Sequence, residues 1–170
     1  VEKNVEQFLR LRSTKKPLRF RAGLPCPLRI MPRPAAAVGD DRLAAALGAL
    51  SYDNRRPWIV VDIGTAVTVN VVRPPNRFEG GLIVPGLRLL LDSLNRKTAQ
   101  LPTIKEDMVS LKQFRVSSIG KNTYAAMTQG ALLMLVSFIT AAVESQKRMI
   151  LSKRARGNKI KSLQCKALVT

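Results

Sequence analysis

The chain has 170 residues, 46 % of them hydrophobic, and a formal net charge of +18 with no histidine. This length and composition are typical of one globular domain and exclude a disordered polymer. Without histidine, His-based triads and His-liganded metals are excluded, so acid–base chemistry falls to Asp, Glu, Lys or Tyr. The positive charge favours anionic partners such as nucleic acid, acidic membranes or small anions.

The two cysteines, Cys26 and Cys165, lie far apart and outside any metal or redox motif. Such usage argues against a disulfide framework or a zinc site and predicts a cytoplasmic location. No secretory signal is recognised, and because the chain does not begin with Met, we expect a fragment or a processed start.

The first half of the chain predicts one helix and one hairpin. Residues 1–33 are basic and broken by prolines, which predicts extended segments and loop. Residues 40–50 are rich in Ala and Leu and carry acids in the first turn, as a helix does. The stretch "WIVVDIGTAVTVNVV", Trp58–Val72, predicts two strands that turn near Gly64 and Thr65.

The second half predicts a turn, a short strand and two helices. The turn is expected in "RPPNRFEGG" and the strand in "GGLIVPG". The first helix, "LRLLLDSLNRKTAQL", places on one face Leu87, Leu90, Leu91 and Leu94. The second helix is expected within residues 119–148, and a basic tail without clear periodicity follows it.

The long helix has two interpretations. Residues 122–143 carry no charge and are long enough to span a bilayer, and basic residues follow them at once. Polar residues dilute this apolar character, namely Asn122, Thr123, Thr128, Gln129, Ser137 and Thr140. We therefore favour a core helix that is covered on most sides, with no membrane partner.

The hairpin turn also has two interpretations. A glycine at a sharp turn lets backbone N–H groups approach phosphate oxygens, and Thr65 and Thr68 add hydroxyl groups. Asp62, at the end of a buried strand, can bind a cation or orient water. The alternative is an ordinary hairpin in which Asp and Thr satisfy turn amides, since the motif is not a Walker sequence.

Four stretches, taken in order, resemble the type III pantothenate kinases of the acetate kinase/heat-shock chaperone/actin-like superfamily. They are "PRPAAAVGDDRLAAA", "WIVVDIGTAVTVNVV", "FEGGLIVPGLRLLLDSLNRKTAQLP" and "IGKNTYAAMTQGALL". The resemblance covers roughly residues 34–148. It implies an α/β fold, a partial actin-like ATPase (ribonuclease H-like) fold made mainly of the second lobe, with a mixed sheet and packed helices.

The resemblance also implies how the chain is organised and what it does. Residues 1–33 would be a basic remnant of the first lobe, 34–148 the second-lobe core of the kinase, and 149–170 a basic C-terminal tail. The implied activity is ATP-dependent phosphorylation of pantothenate to 4′-phosphopantothenate, the first step of coenzyme A biosynthesis. The implied cofactors are ATP, Mg²⁺ and K⁺ or NH₄⁺, and the implied assembly is a homodimer.

The resemblance assigns substrate contacts to two places in the chain. Asp41 would be the general base on the pantothenate hydroxyl, with Gly39, Asp40 and Arg42 around the substrate. Thr123 would add a second contact from the start of the long helix. The alternatives are a helix N-terminus with favourable acids and a surface arginine at the first place, and a capping residue at the second.

For the nucleotide side, the resemblance implies that Thr65 contacts the ATP phosphates and that Asp62 binds the monovalent cation. The glycines and proline of the following strand are expected to be structural, because they let the chain pass close to the site. They are Gly80, Gly81, Pro85 and Gly86.

The sequence departs from the family pattern at several points. We find neither the family's Asp-x-Gly-Asn-Thr phosphate loop nor its Gly-Gly-Asp-like turn near the C-terminus. Asn70 stands where an Asp is frequent, and Asp40 stands where the family has Ala. We therefore expect a chain that is incomplete at both ends, with impaired activity. The alternative is an inactive fragment that serves in dimerisation or binds nucleic acid through its basic ends, of which nucleic-acid binding is not favoured.

Overall fold

The computed structural model describes residues 26–104, 109, 115, 119–155 and 166–169. Within these ranges the strands are β1 (Arg29–Ile30), β2 (Trp58–Ile63), β3 (Ala66–Arg73), β4 (Arg77–Pro85) and β5 (Lys166–Val169). The helices are α1 (Asp40–Tyr52), α2 (Leu87–Lys97) and α3 (Thr123–Ala155), with a short 3₁₀ turn at Ala35–Ala37.

The five strands form one mixed sheet in the order β1-β4-β3-β2-β5. Strands β2, β3 and β4 are an antiparallel meander, and the edge strands β1 and β5 pair in parallel with β4 and β2. The predicted α/β class with a mixed sheet and packed helices is therefore confirmed.

The predicted β2–β3 hairpin is confirmed, and it is buried on both faces. Its register runs from Trp58 opposite Val72 to Ile63 opposite Val67. Because side chains alternate along a strand, one face contributes Val60 and Val72 to the core against α1. The other face packs against α3 through Ile59, Val61, Val69 and Val71. Burial on both faces explains why the sequence reads as an almost continuous apolar run.

Helix α1 begins where the sequence predicts and covers the first face of the sheet. Leu43, Ala46 and Ala49 are fully buried at a spacing of three residues, which is the apolar stripe of an amphipathic helix. At its end, the Trp58 indole Nε1 donates a hydrogen bond of 2.8 Å to the carbonyl oxygen of Asp53. This bond ties the end of α1 to the start of β2.

Helix α2 uses the face that its leucine spacing predicts. Leu91 is buried in a cluster with Ile104 and, from α3, Met127 and Ala131. The other three leucines of the predicted face pack around this cluster, namely Leu87, Leu90 and Leu94. The N-terminal part of α3 therefore contacts α2, while its later part, through Ala142 and Ile150, covers the sheet.

Strand β4 starts earlier than the sequence predicts. The turn expected in "RPPNRFEGG" is shorter, because Arg77 already pairs with Arg73. The register then jumps: Phe78 pairs with Val72 and Gly80 pairs with Val71, which leaves Glu79 as the extra residue of a β-bulge. Gly80 has φ of 97° there, a backbone conformation that glycine adopts without steric cost.

Helix α3 differs from the prediction in its bounds and its surroundings. It starts at Thr123 rather than near Ile119, and it continues to Ala155. The prediction that this helix is covered on most sides is wrong for the described part of the chain, because only 28 % of the most apolar window of the helix is buried. By length and composition alone, residues Thr123–Ser152 also meet the criterion for a membrane span, which core helices of soluble proteins meet as well.

The segments before and after the predicted second-lobe core contribute the edge strands of the sheet. In the segment expected to be a basic tail, residues 149–155 extend α3 and Lys166–Val169 pair with β2, with Trp58 opposite Lys166. In the N-terminal segment, β1 pairs with the start of β4. Residues 1–25 lie outside the described ranges.

The start of α2 lies against the hairpin turn. The N–H of Gly86 donates a 2.9 Å hydrogen bond to the carbonyl oxygen of Thr65. A Cβ atom at Gly86 would overlap the carbonyl oxygen of Gly64 and lie 2.8 Å from that of Thr65. The predicted structural role of Gly86 agrees with this contact.

We expect Gly86→Ala to lower the free energy of unfolding by about 1–3 kcal/mol, because backbone atoms would have to move apart. Gly130→Ala in α3 is the matched control, since nothing lies within 4 Å of its Cβ position. Urea unfolding followed by circular dichroism measures both variants. Equal stability of the two would refute the close contact at the turn.

Candidate functional site

The hairpin turn presents backbone groups at the end of β2. Gly64 and Thr65 are exposed, and the N–H of Gly64 donates to the carbonyl oxygen of Ala66 at 3.1 Å. The contact with Gly86 holds the turn from the side of α2. Thr65 therefore lies on a turn that the start of α2 supports.

A row of polar side chains leads from this turn along the α1 face of the sheet. Val60 and Val72 on this face pack against α1, so alternation puts Asp62, Thr68 and Asn70 on the same face. Thr68 lies directly opposite Asp62 in the register. Thr68 and Asn70 are buried, whereas Asp62 is half-buried.

Asn70 is hydrogen-bonded on both sides of its amide. Its oxygen accepts from Arg42 Nε at 2.9 Å and from Arg42 Nη2 at 2.5 Å. Its nitrogen donates to the hydroxyl of Thr68 at 2.8 Å. Asn70 is one of the departures from the family pattern, and the sequence alone assigned it no role. The available sequence signal was an amide in a valine-rich strand, because a polar residue that is buried there needs hydrogen-bond partners.

The Arg42 guanidinium is half-buried between α1 and the sheet. Its Cζ atom lies 5.5 Å from the centre of the Phe78 ring, a cation–π distance. Burial lowers the pKa of Arg42, and the nearby Asp41 carboxylate opposes that effect. The Asp41 carboxylate therefore partly compensates the positive charge of Arg42. Asn70, the hydrogen-bond partner of Arg42, is neutral.

Asp41 is exposed in the first turn of α1. Its Oδ1 accepts a 2.8 Å hydrogen bond from the backbone N–H of Arg42. A Cβ atom on Gly39 would lie 2.5 Å from this same oxygen. The absence of a side chain at Gly39 therefore leaves room for the Asp41 carboxylate, and Asp40 lies half-buried beside it.

Thr123 lies on a different element from these residues. It is exposed at the start of α3, whose buried side chains contact α2 and the opposite face of the sheet. The capping role considered for Thr123 belongs instead to Asn122, whose Oδ1 accepts from the N–H of Ala125 at 2.8 Å. The structure thus links Arg42 at the start of α1 to the sheet face that carries Asp62, and Thr123 belongs to a different helix.

Across the described ranges, no group of three or more Cys, Asp or Glu side chains forms a metal-binding cluster. The Asp62 carboxylate and the Thr68 hydroxyl, opposite each other in the register, are oxygen donors. Oxygen donors suit a hard cation, so the chemistry of these two side chains fits a hard cation better than zinc.

The mixed sheet, the packed helices and the polar row of Asp62, Thr68 and Asn70 define an α/β protein. The family model of type III pantothenate kinase matches residues 1–145, and the chain belongs to that family. The match begins before the first motif that sequence analysis used.

Curated relatives named type III pantothenate kinase agree with this assignment. The relative from Herminiimonas arsenicoxydans is 38 % identical over 110 residues, covering 65 % of this chain and 41 % of its own length. The relative from Sulfurihydrogenibium is 32 % identical over 143 residues, with 84 % and 54 % coverage. The relative from Akkermansia muciniphila is 44 % identical over 112 residues, with 64 % and 43 % coverage.

The chain therefore spans about half the length of the curated relatives it matches, or less. A crystal structure of a conserved Baf-family protein from Campylobacter jejuni aligns at 21 % identity and a TM-score of 0.44. It covers 62 % of this chain and 46 % of that one, and supports no argument on function.

Proposed function

We propose that this chain takes part in the ATP-dependent phosphorylation of pantothenate to 4′-phosphopantothenate. One observation supports the proposal for a member of this family: Arg42, which follows Asp41 at the start of α1, is hydrogen-bonded to Asn70 in the same polar row as Asp62 and Thr68. The actin-like (ribonuclease H-like) fold is part of this proposal.

Asp41 is the proposed general base. Its carboxylate is exposed, so it can approach an alcohol, and the N–H of Arg42 fixes one of its oxygens. The other oxygen takes the hydroxyl proton as the substrate oxygen forms a bond to the γ-phosphorus and the bond to ADP breaks. Proton, phosphoryl group and leaving group are thereby all accounted for.

Arg42 is the proposed contact for the pantothenate carboxylate, because a guanidinium can bind a carboxylate through two parallel N–H groups. Gly39 and Asp40 border this place at the start of α1. Thr123, exposed at the start of α3, is the remaining proposed substrate contact.

On the nucleotide side, Thr65 is the proposed phosphate contact, since its turn is exposed and held by Gly86. Asp62 is the proposed residue for K⁺ or NH₄⁺, supported by the oxygen of Thr68 opposite it. A bound Mg²⁺ would supply charge neutralisation on the transferring phosphate. The proposed location is the cytoplasm, where ATP is available.

Asp41→Asn tests the general base. We expect pantothenate binding to persist and turnover to fall about 10²- to 10⁴-fold, because the amide cannot take the proton. A coupled ADP-release assay with pantothenate, Mg²⁺ and K⁺ measures turnover, and calorimetry measures binding. Asp92→Asn on α2 is the control, since its ion pair with the exposed Arg88 is long, at 3.9 Å. Wild-type turnover no faster than that of Asp41→Asn would remove the enzymatic claim for this chain.

Gly39→Ala tests the position of the same carboxylate. Gly39 has φ of −57° and ψ of 140°, which alanine tolerates, so the expected effect is a displaced Asp41 side chain. Turnover should fall by roughly tenfold or more, because small misplacements of a catalytic group are costly. Gly48→Ala, with nothing within 4 Å of its Cβ position, should keep full turnover and gain about 0.5–1 kcal/mol of stability. Parallel losses of turnover in both variants would contradict this assignment.

A homodimer is the second proposal, and an exposed apolar stretch of α3 favours it. Leu133, Met134 and Val136 are all exposed on this helix. Contiguous apolar surface of this kind is commonly covered by a partner. Light scattering should give the mass of two chains, and Val136→Lys should halve it, while the exposed Ser145→Lys should not. A wild-type mass of one chain would exclude the dimer, and the inactive dimerisation role with it.

Binding of nucleic acid through the basic ends is less favoured, since the sequence carries no helix-turn-helix, zinc or aromatic stacking signature. It requires affinity that falls steeply with salt. DNA binding that is unchanged between low and high salt would rule it out.

A further inference from the structure

The orientation of the Asn70 amide is fixed by the donors around it. A guanidinium has only donors, so the Asn70 oxygen must face Arg42 and its nitrogen must face the Thr68 hydroxyl. Asn70 and Thr68 are 1 % and 5 % exposed, so water does not compete for these bonds. Asn70 and Thr68 therefore hold the guanidinium of Arg42 in one orientation, and we call this pair of residues the seat of Arg42.

This seat uses one particular edge of the guanidinium. Nε and Nη2 both donate to the Asn70 oxygen, so the side edge of the arginine is turned toward the sheet. Among the described residues, no hydrogen bond from Nη1 is observed. The terminal edge, made of Nη1 and the second N–H of Nη2, has the parallel geometry that a carboxylate accepts.

The charge of the seat matters as well as its shape. Asn70 is neutral, so it orients Arg42 without cancelling the positive charge, and the Phe78 ring beneath it is also uncharged. An arginine held this way loses little side-chain freedom when a ligand binds, which favours affinity.

We propose that Asn70, seated on Thr68, is a positioning residue that turns the terminal edge of Arg42 toward the carboxylate of the substrate. This inference rests on the proposed function. Through this role of Asn70, the protein's discrimination between pantothenate and the corresponding alcohol depends on a residue that does not touch the substrate.

The experiment compares two ligands on three variants of the whole chain. The ligands are pantothenate and pantothenol, which carries an alcohol in place of the carboxylate, and calorimetry measures both dissociation constants. Asn70→Leu removes the seat, and we expect pantothenate to bind at least about tenfold more weakly while pantothenol changes less than about twofold. A purely structural defect would weaken both ligands alike.

Asn70→Asp is the conservative variant. It keeps an oxygen facing Arg42, and the Thr68 hydroxyl can reverse its role and donate to the second carboxylate oxygen. We expect it to recover at least about threefold of the affinity that Asn70→Leu loses. Thr68→Val, nearly the same size as the native residue, keeps the test decisive should Asn70→Leu fail to fold. We expect Thr68→Val to weaken the binding of pantothenate by about threefold or more, without a comparable loss in the binding of pantothenol.

The outcomes separate the two claims. If the wild-type chain binds pantothenate and pantothenol equally or binds neither, the proposed role of Arg42 fails, and this inference fails with it. If the wild-type chain prefers pantothenate and both Asn70→Leu and Thr68→Val retain that preference, Asn70 has no positioning role although the proposed function stands.

Discussion

The β2–β3 hairpin has to bury side chains on both of its faces, and the rest of the structure follows from that requirement. One face needs α1 and the other needs α3, since neither set of valines and isoleucines can be left in water. The hairpin thereby fixes where the start of α1 lies relative to the turn at Gly64. The candidate site is formed at the place where that coverage ends.

Polar groups on the buried face are tolerated because each has a partner. Burying an amide without hydrogen bonds costs about 1–3 kcal/mol by mutational data, and Asn70 avoids that cost through Arg42 and Thr68. The same bonds hold the arginine near Asp41. Stability and site geometry are thus obtained from one set of contacts, which is why we expect changes at Asn70 to affect both.

Much of this arrangement could be predicted from sequence. The period of the leucines in α2, the acids at the start of α1 and the turn at Gly64–Thr65 are local signals, and local signals give elements correctly. The early start of β4 was missed because the prolines and asparagine just before it are typical of a turn, and the sequence does not show where that turn ends. The exposed side of α3 was missed because composition alone does not tell which neighbours cover a helix. Asn70 was missed as a contact because its partner lies 28 residues away in the chain.

The bulge in β4 has a consequence for the kind of ligand that fits beside α1. With Glu79 as the extra residue, Phe78 lies opposite Val72 and its ring lies beneath the arginine. Regular pairing continued from Gly80 would instead put Glu79 opposite Val72, on the α1 face. A carboxylate at that position would form an ion pair with the Arg42 guanidinium and would repel acidic ligands. The one extra residue in β4 therefore places an aromatic ring, rather than a carboxylate, against the guanidinium of Arg42.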